Sequence, residues 1–141
     1  MVDYQQEKEL RQRIATWSDE HLSDARQMVS QHKRLLRELT NSQLYGLLNH
    51  VRNSKNVSDV RDYADRQARK AKRAGRQIEG FWLDFHRKIE SFDDNVNEIV
   101  RESNSRWVND DSRTNAIHLQ LLRRFVQHLI AEKLVLDAQS K

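Results

Sequence analysis

The chain contains no proline and only three glycines among its 141 residues. Average usage of about 5% and 7% would supply roughly seven prolines and ten glycines. Tight turns depend on these two residues, whereas helix interiors exclude proline and disfavour glycine. The depletion therefore predicts an all-α protein. A chain of this length also predicts a single domain, residues 1–141, that is long enough to bury a core in a bundle of five to six helices.

Membrane and secreted classes do not fit this sequence. Its apolar runs fall far short of the ~18 residues that a membrane span needs, and the first residues, Met-Val-Asp-Tyr-Gln-Gln-Glu, lack the basic-then-apolar pattern of a signal peptide. There is no cysteine, so disulfides and thiolate metal sites are excluded. We therefore expect a cytoplasmic protein.

The clearest helix start is the segment Leu39-Thr40-Asn41-Ser42-Gln43-Leu44. Thr40 and Gln43 have the spacing of a capping box, in which each side chain accepts a hydrogen bond from the other residue's amide. Leu39 and Leu44 flank the box at the spacing of a hydrophobic staple. Apolar residues then recur at helical spacing up to Val51, so a helix is predicted to begin at this point.

The other helix boundaries are predicted from weaker signals. A first helix is predicted through Leu10, Ile14 and Trp17, and residues 1–15 are expected to fray at its start. Ser18 is expected to cap a second helix that continues to Leu39, and Ser58 is expected to open a further one. A kink or break is predicted near Gly80. Residues 103–115 lack periodicity and are predicted to form a loop before a last helix that runs from about residue 116 to 136. The apolar stripes expected in the core are Phe81, Trp82, Phe85, Ile89, Phe92, Val96, Ile99 and Val100, and then Ile117, Leu121, Leu122, Phe125, Val126, Leu129 and Ile130.

Basic residues are concentrated in the segment 66–76, which has six of them and no acid, although the whole chain nets only +4. On a helical wheel the small apolar residues of this region form one narrow stripe: Val57, Val60, Ala64, Ala68, Ala71, Gly75 and Ile78. The cations predicted to point away from that stripe are Arg66, Arg69, Lys70, Arg73 and Arg76, with Lys72 and Arg61 on one flank. A row of cations suits a phosphate backbone, so these residues are candidate RNA contacts. A solvated helix face without any ligand explains the same pattern.

A second group of cations, Lys33, Arg34 and Arg37, is predicted near the end of the second helix. These residues are candidate RNA contacts as well. Their position also favours the negative end of the helix dipole, which is a purely structural explanation.

The sequence lacks the common motifs of enzymes and metal sites. The chain has no metalloprotease, phosphate-loop, nucleophile-elbow or calcium-loop pattern, and its six histidines are scattered singly. The acidic pairs at 93–94 and 110–111 are explained more simply by helix caps and loop solvation than by a magnesium site. We therefore expect no enzymatic activity, no metal and no cofactor, although the fold can still recruit a lone histidine as a general base.

Two segments resemble one protein family. The stretch Leu39–Leu44, followed by Val51, resembles the Leu-Thr-x-Ser-Gln-(Ile/Leu) helix start of the small subunits of type III-A CRISPR effector complexes. Near the other end, Phe125–Ala131 resembles that family's closing Phe-Val-x-x-Leu-x-Ala helix. The resemblance covers roughly residues 35–136, but fewer than twenty of them are motif-like. Two positions depart from the family pattern: Tyr45 replaces an expected basic residue, and Val135 replaces an expected aromatic one.

The resemblance implies a non-catalytic helical subunit of a CRISPR ribonucleoprotein for antiviral defence. Several stacked copies would hold the backbone of guide RNA and target single-stranded RNA without reading sequence, and other subunits would cleave. Because Tyr45 is not basic, one expected phosphate contact is in doubt. Two alternatives remain from the residues alone: a helical DNA-binding protein, and a protein interaction module whose basic helix docks on an acidic partner.

Overall fold

The computed structural model describes residues 4–33, 39–103 and 110–139. Within these ranges the chain forms six α-helices and no strand, which confirms the predicted all-α bundle. The helices are α1 (Tyr4–Glu20), α2 (Leu22–Gln31), α3 (Asn41–Asn53), α4 (Val57–Arg73), α5 (Glu79–Ser103) and α6 (Asp111–Gln139). None of them is both long and apolar enough to cross a membrane.

The two longest helices, α5 and α6, pack against each other and organise the bundle. Helix α4 lies along α5, helices α2 and α3 both pack on α6, and α1 contacts both central helices. The predicted apolar stripes of α5 and α6 are all buried, and Phe81, Phe85 and Phe125 are completely inaccessible. Apolar burial at helical periodicity is the main term that holds such a bundle together.

The capping box at the start of α3 is confirmed. The Thr40 hydroxyl accepts a hydrogen bond from the Gln43 amide at 3.1 Å, and the Thr40 amide donates to the Gln43 side-chain oxygen at 2.8 Å. Leu39 and Leu44, the two staple residues, are both buried. The sequence was sufficient to predict this cap because both hydrogen bonds join residues that are only three positions apart.

The predicted boundary at Ser18 is wrong. Ser18 lies inside α1, is buried, and its hydroxyl contacts His128 Nε2 on α6 at 2.9 Å. The break falls at His21 instead, and α2 ends at Gln31 rather than continuing to Leu39. The long-range contact with α6, which the local sequence does not reveal, keeps Ser18 in a helix. Residues 4–15, which were expected to fray, belong to α1, and Leu10 and Ile14 are buried there.

The predicted loop at 103–115 is too long at both ends. Ser103 is the last residue of α5, and α6 begins at Asp111, about five residues earlier than expected. The side chain of Asp110 accepts a hydrogen bond from the Arg113 amide at 3.0 Å, which is the geometry of a helix N-cap. The polar residues that suggested a loop therefore include the cap of the next helix. Residues 104–109 lie outside the described ranges.

Candidate nucleic-acid interface

Helix α4 begins at an asparagine cap rather than at Ser58. The Asn56 side chain accepts a hydrogen bond from the Asp59 amide at 3.0 Å, and Ser58 is already the second helical residue. The predicted stripe is buried from Val57 to Ala71 and packs on α5. Small side chains such as Ala64, which is fully buried, allow the two helices to approach closely.

The side of α4 that faces away from α5 carries the candidate site. Six exposed cations make up what we call the basic surface: Arg66, Arg69, Lys70, Lys72, Arg73 and Arg76. The first half of the helix is acidic and the second half is basic, an arrangement that also complements the helix dipole. The cations thus project into solvent, as the helical wheel predicted.

Arg76 does not lie on the helix, contrary to the prediction. Gly75 adopts a left-handed conformation with φ of 66°, its amide donates to the Lys72 carbonyl at 3.0 Å, and the Arg76 amide donates to the Ala71 carbonyl at 2.8 Å. These bonds form a Schellman motif, which ends α4 and reverses the chain before α5. Gly75 is consequently exposed and does not belong to the packing stripe. Arg76 remains exposed beside the helix terminus.

Two of the candidate cations have acidic partners. Arg69 forms an ion pair with Asp65, one turn earlier on the same exposed face. Arg61 is half-buried on α4, where its guanidinium pairs with Glu90 at 3.0 Å and with Asp93 at 3.6 Å on α5. The structure therefore directs Arg61 towards the α4–α5 contact and separates it from the basic surface.

Of the second predicted group of cations, the structure describes only Lys33. Lys33 is exposed in the turn that follows α2, not on the helix itself. Arg34 and Arg37 lie outside the described residues. Tyr45, which replaces a basic residue in the family resemblance, is 47% exposed on α3.

Some surface residues beside α4 were not singled out by the sequence analysis. His50 on α3 and Tyr63 on α4 stack with their ring centroids 4.5 Å apart and an interplanar angle of 27°. Arg66 is close enough to Tyr63 to favour its ionised form, yet burial raises the pKa of the Tyr63 hydroxyl above its ordinary value. The spacing of three residues puts Tyr63 and Arg66 on one side of α4, but no local sequence pattern pairs Tyr63 with His50 on α3.

One of the six scattered histidines, His118, is not a surface residue. It is buried on α6, its Nε2 donates to the Ile89 carbonyl at 2.9 Å, and its Nδ1 lies 3.2 Å from Asp93. Burial lowers the pKa of His118, and the nearby Asp93 carboxylate opposes that shift. Within the described residues no three acidic or histidine side chains form a group that could hold a metal ion.

The comparisons with known proteins identify no relative. No protein-family model, curated protein or solved structure matches this chain.

Proposed function

We propose that this chain binds single-stranded or guide-paired RNA through backbone phosphates, as a non-catalytic small subunit of a type III CRISPR ribonucleoprotein complex. The binding site is the basic surface of α4. One observation carries the proposal: six cations are exposed within eleven residues, five of them on the outer side of α4, whose other side is buried in the core, and the sixth, Arg76, just beyond its end.

The charge pattern favours phosphates over base edges. Lysine and arginine side chains along a regular helix meet a charged backbone, whereas base readout requires a helix that mixes amides, hydroxyls and arginines on the face entering a groove. Lys70, Lys72 and Arg73 occupy most of the exposed last turn of α4. This uniformity favours sequence-independent RNA binding over a DNA recognition helix.

The assignment to a CRISPR complex is supported by the two segments that resemble the small subunits. The Thr40 box caps α3, and the second segment lies on α6 with Phe125, Val126, Leu129 and Ile130 buried. In such a complex the partners would be guide RNA, target RNA, other protein subunits and further copies of this chain. Catalysis would be supplied by another subunit.

A mobility-shift titration with single-stranded RNA at several salt concentrations tests the binding. If about four of the exposed cations contact phosphates, log affinity should fall against log salt with a slope near −3, at ~−0.7 per contact. A protein-interaction module with no nucleic-acid role would give no RNA shift at any salt concentration, and a slope near zero would contradict binding through phosphates. A strong preference for one base sequence would contradict backbone binding.

Purification of the chain from its native cells tests the complex. Under the proposal a short guide RNA and larger protein subunits should co-purify, and ribonuclease treatment should remove the RNA. If RNA binding is present in the titration but no guide RNA co-purifies, the CRISPR assignment is wrong while the RNA-binding assignment stands.

A further inference from the structure

The His50–Tyr63 stack lies at one end of the basic surface and is held from both sides. The Tyr63 ring meets Trp82 edge to face, with centroids 6.1 Å apart, which anchors it to the core. His50 Nε2 donates to the Asp59 carbonyl at 3.2 Å, which fixes the orientation of the imidazole. His50 is only half-buried. Because Tyr63 covers one face of the imidazole, only its edge and its other face can meet a ligand.

A shallow cleft of about 200 Å³ opens beside this stack. It is lined by His50, Asn53, Ser54, Asp59, Asp62 and Arg66. One water occupies ~30 Å³ of liquid, so the cleft admits a group much larger than solvent. Arg66 belongs both to this cleft and to the basic surface. An RNA strand that lies along the basic surface of α4 would therefore reach the cleft while its phosphates stay beside the cations.

The charges of the cleft select which part of a nucleotide can enter it. Asp59 and Asp62 repel a phosphate, whereas neither side chain penalises an uncharged base. Arg66 and Lys70, one turn further along α4, attract the phosphates away from those carboxylates. An aromatic surface beside a row of cations is the arrangement by which proteins bind single strands without reading their sequence.

We propose that one unpaired base of the bound strand stacks on His50 in this cleft, while the adjoining phosphates lie along the basic surface from Arg66 onward. This inference rests on the proposed RNA binding and adds a base contact to it. Since every base offers a π-face, the contact is sequence-tolerant. His50 would thereby set the position at which the strand enters the surface.

Fluorescence anisotropy of the full chain, with a labelled uridine dodecamer and a matched abasic ribose-phosphate dodecamer, tests the stack. The two probes carry the same phosphates, so their affinity ratio reports base contacts alone. Wild type should prefer the uridine strand by about 5- to 150-fold, the range expected for one stacked base. His50→Ala should remove that preference, His50→Phe should retain it, and the exposed neighbour variant Asn49→Ala should leave it unchanged. The salt slope should stay the same in all of these variants.

The outcomes separate this inference from the proposed function. If wild type binds both strands equally, or if His50→Ala keeps the preference, the stack is refuted while phosphate binding stands. If His50→Phe fails like His50→Ala although both variants melt like wild type, the imidazole acts through its hydrogen bond and stacking is refuted. If wild type binds neither strand at low salt, both proposals are wrong.

Discussion

His118 on α6 and Asp93 on α5 face each other across the central helix pair, with Nδ1 and a carboxylate oxygen 3.2 Å apart. The other ring nitrogen donates to the Ile89 carbonyl, which can only accept, so the neutral imidazole carries its proton on Nε2. Arg61 from α4 and Glu90 from α5 complete the charged groups around the ring. Burial of the imidazole outweighs the attraction of Asp93 and lowers the pKa of His118.

This lowered pKa predicts a loss of stability in mild acid. The unfolded chain takes up the histidine proton near pH 6.5, before the folded chain does, so the contribution of His118 to folding falls as the pH drops below about 6.5. The loss is at most ~1.4 kcal/mol per pH unit and ceases below the folded-state pKa. Urea denaturation of wild type and His118→Gln between pH 8 and pH 5 measures it. Glutamine keeps a donor for Ile89 but does not titrate, so the variant should lose less stability over this range. Parallel curves for the two proteins would contradict the prediction.

Several helices could be predicted from the sequence because apolar periodicity and capping boxes involve only residues that are close in the chain. Apolar periodicity gave the buried faces of α4, α5 and α6, and the Thr40 box gave the start of α3. Boundaries that depend on distant contacts were missed, such as Ser18, which His128 holds from 110 residues away. Gly75 was assigned to the packing stripe of the basic helix, but its positive φ ends that helix.

Paired charge reversals test where RNA binds. Arg73→Glu with Arg76→Glu should reduce RNA affinity strongly, because both side chains belong to the basic surface and are exposed. The matched control is Arg123→Glu with Arg124→Glu, two exposed arginines on α6, which makes the same change in net charge. Melting temperatures should stay near wild type, since exposed substitutions usually shift stability by less than ~0.5 kcal/mol. Equal losses of affinity in the two double variants would show that only net charge matters.

The ion pair between Asp65 and Arg69 predicts a variant that binds RNA more tightly. Asp65→Asn releases the Arg69 guanidinium and removes a negative charge beside the basic surface. An exposed ion pair is worth ~0–1 kcal/mol, so the affinity should rise by up to about fivefold and the salt slope should steepen by ~0.7. The gain should be smaller in an Arg69→Gln background, where only the loss of the negative charge remains, and a double-mutant cycle measures the difference. An equal gain in both backgrounds would show that release of Arg69 contributes nothing to RNA binding.

For the candidate site, the sequence predicted only which charged side chains are exposed. Exposure of Arg66 and Lys70 follows from their angle to the buried alanines, which the helical wheel provides. The partners of Arg61 could not be found in the same way, because Glu90 and Asp93 come from another helix. The stack of His50 on Tyr63 likewise joins two helices whose relative placement no local pattern specifies.

Two alanine substitutions, one at an exposed residue and one at a buried residue, test the helical bundle. Thr40→Ala removes an exposed cap and should cost about 1 kcal/mol, within a range of about 0.5–2 kcal/mol, because one amide at the start of α3 loses its acceptor. Phe125→Ala should cost about 3–5 kcal/mol, because the loss of this fully buried ring leaves a cavity between α5 and α6. The centroid of the Phe125 ring lies 5.2 Å from that of Phe92 on α5. Chemical denaturation of both variants gives the two free energies of unfolding. With a total stability of about 5–15 kcal/mol, the first variant should remain folded and the second should be marginal. Similar costs for the two would mean that α6 is not held in the isolated bundle, and that its apolar face is covered only when the chain assembles with others.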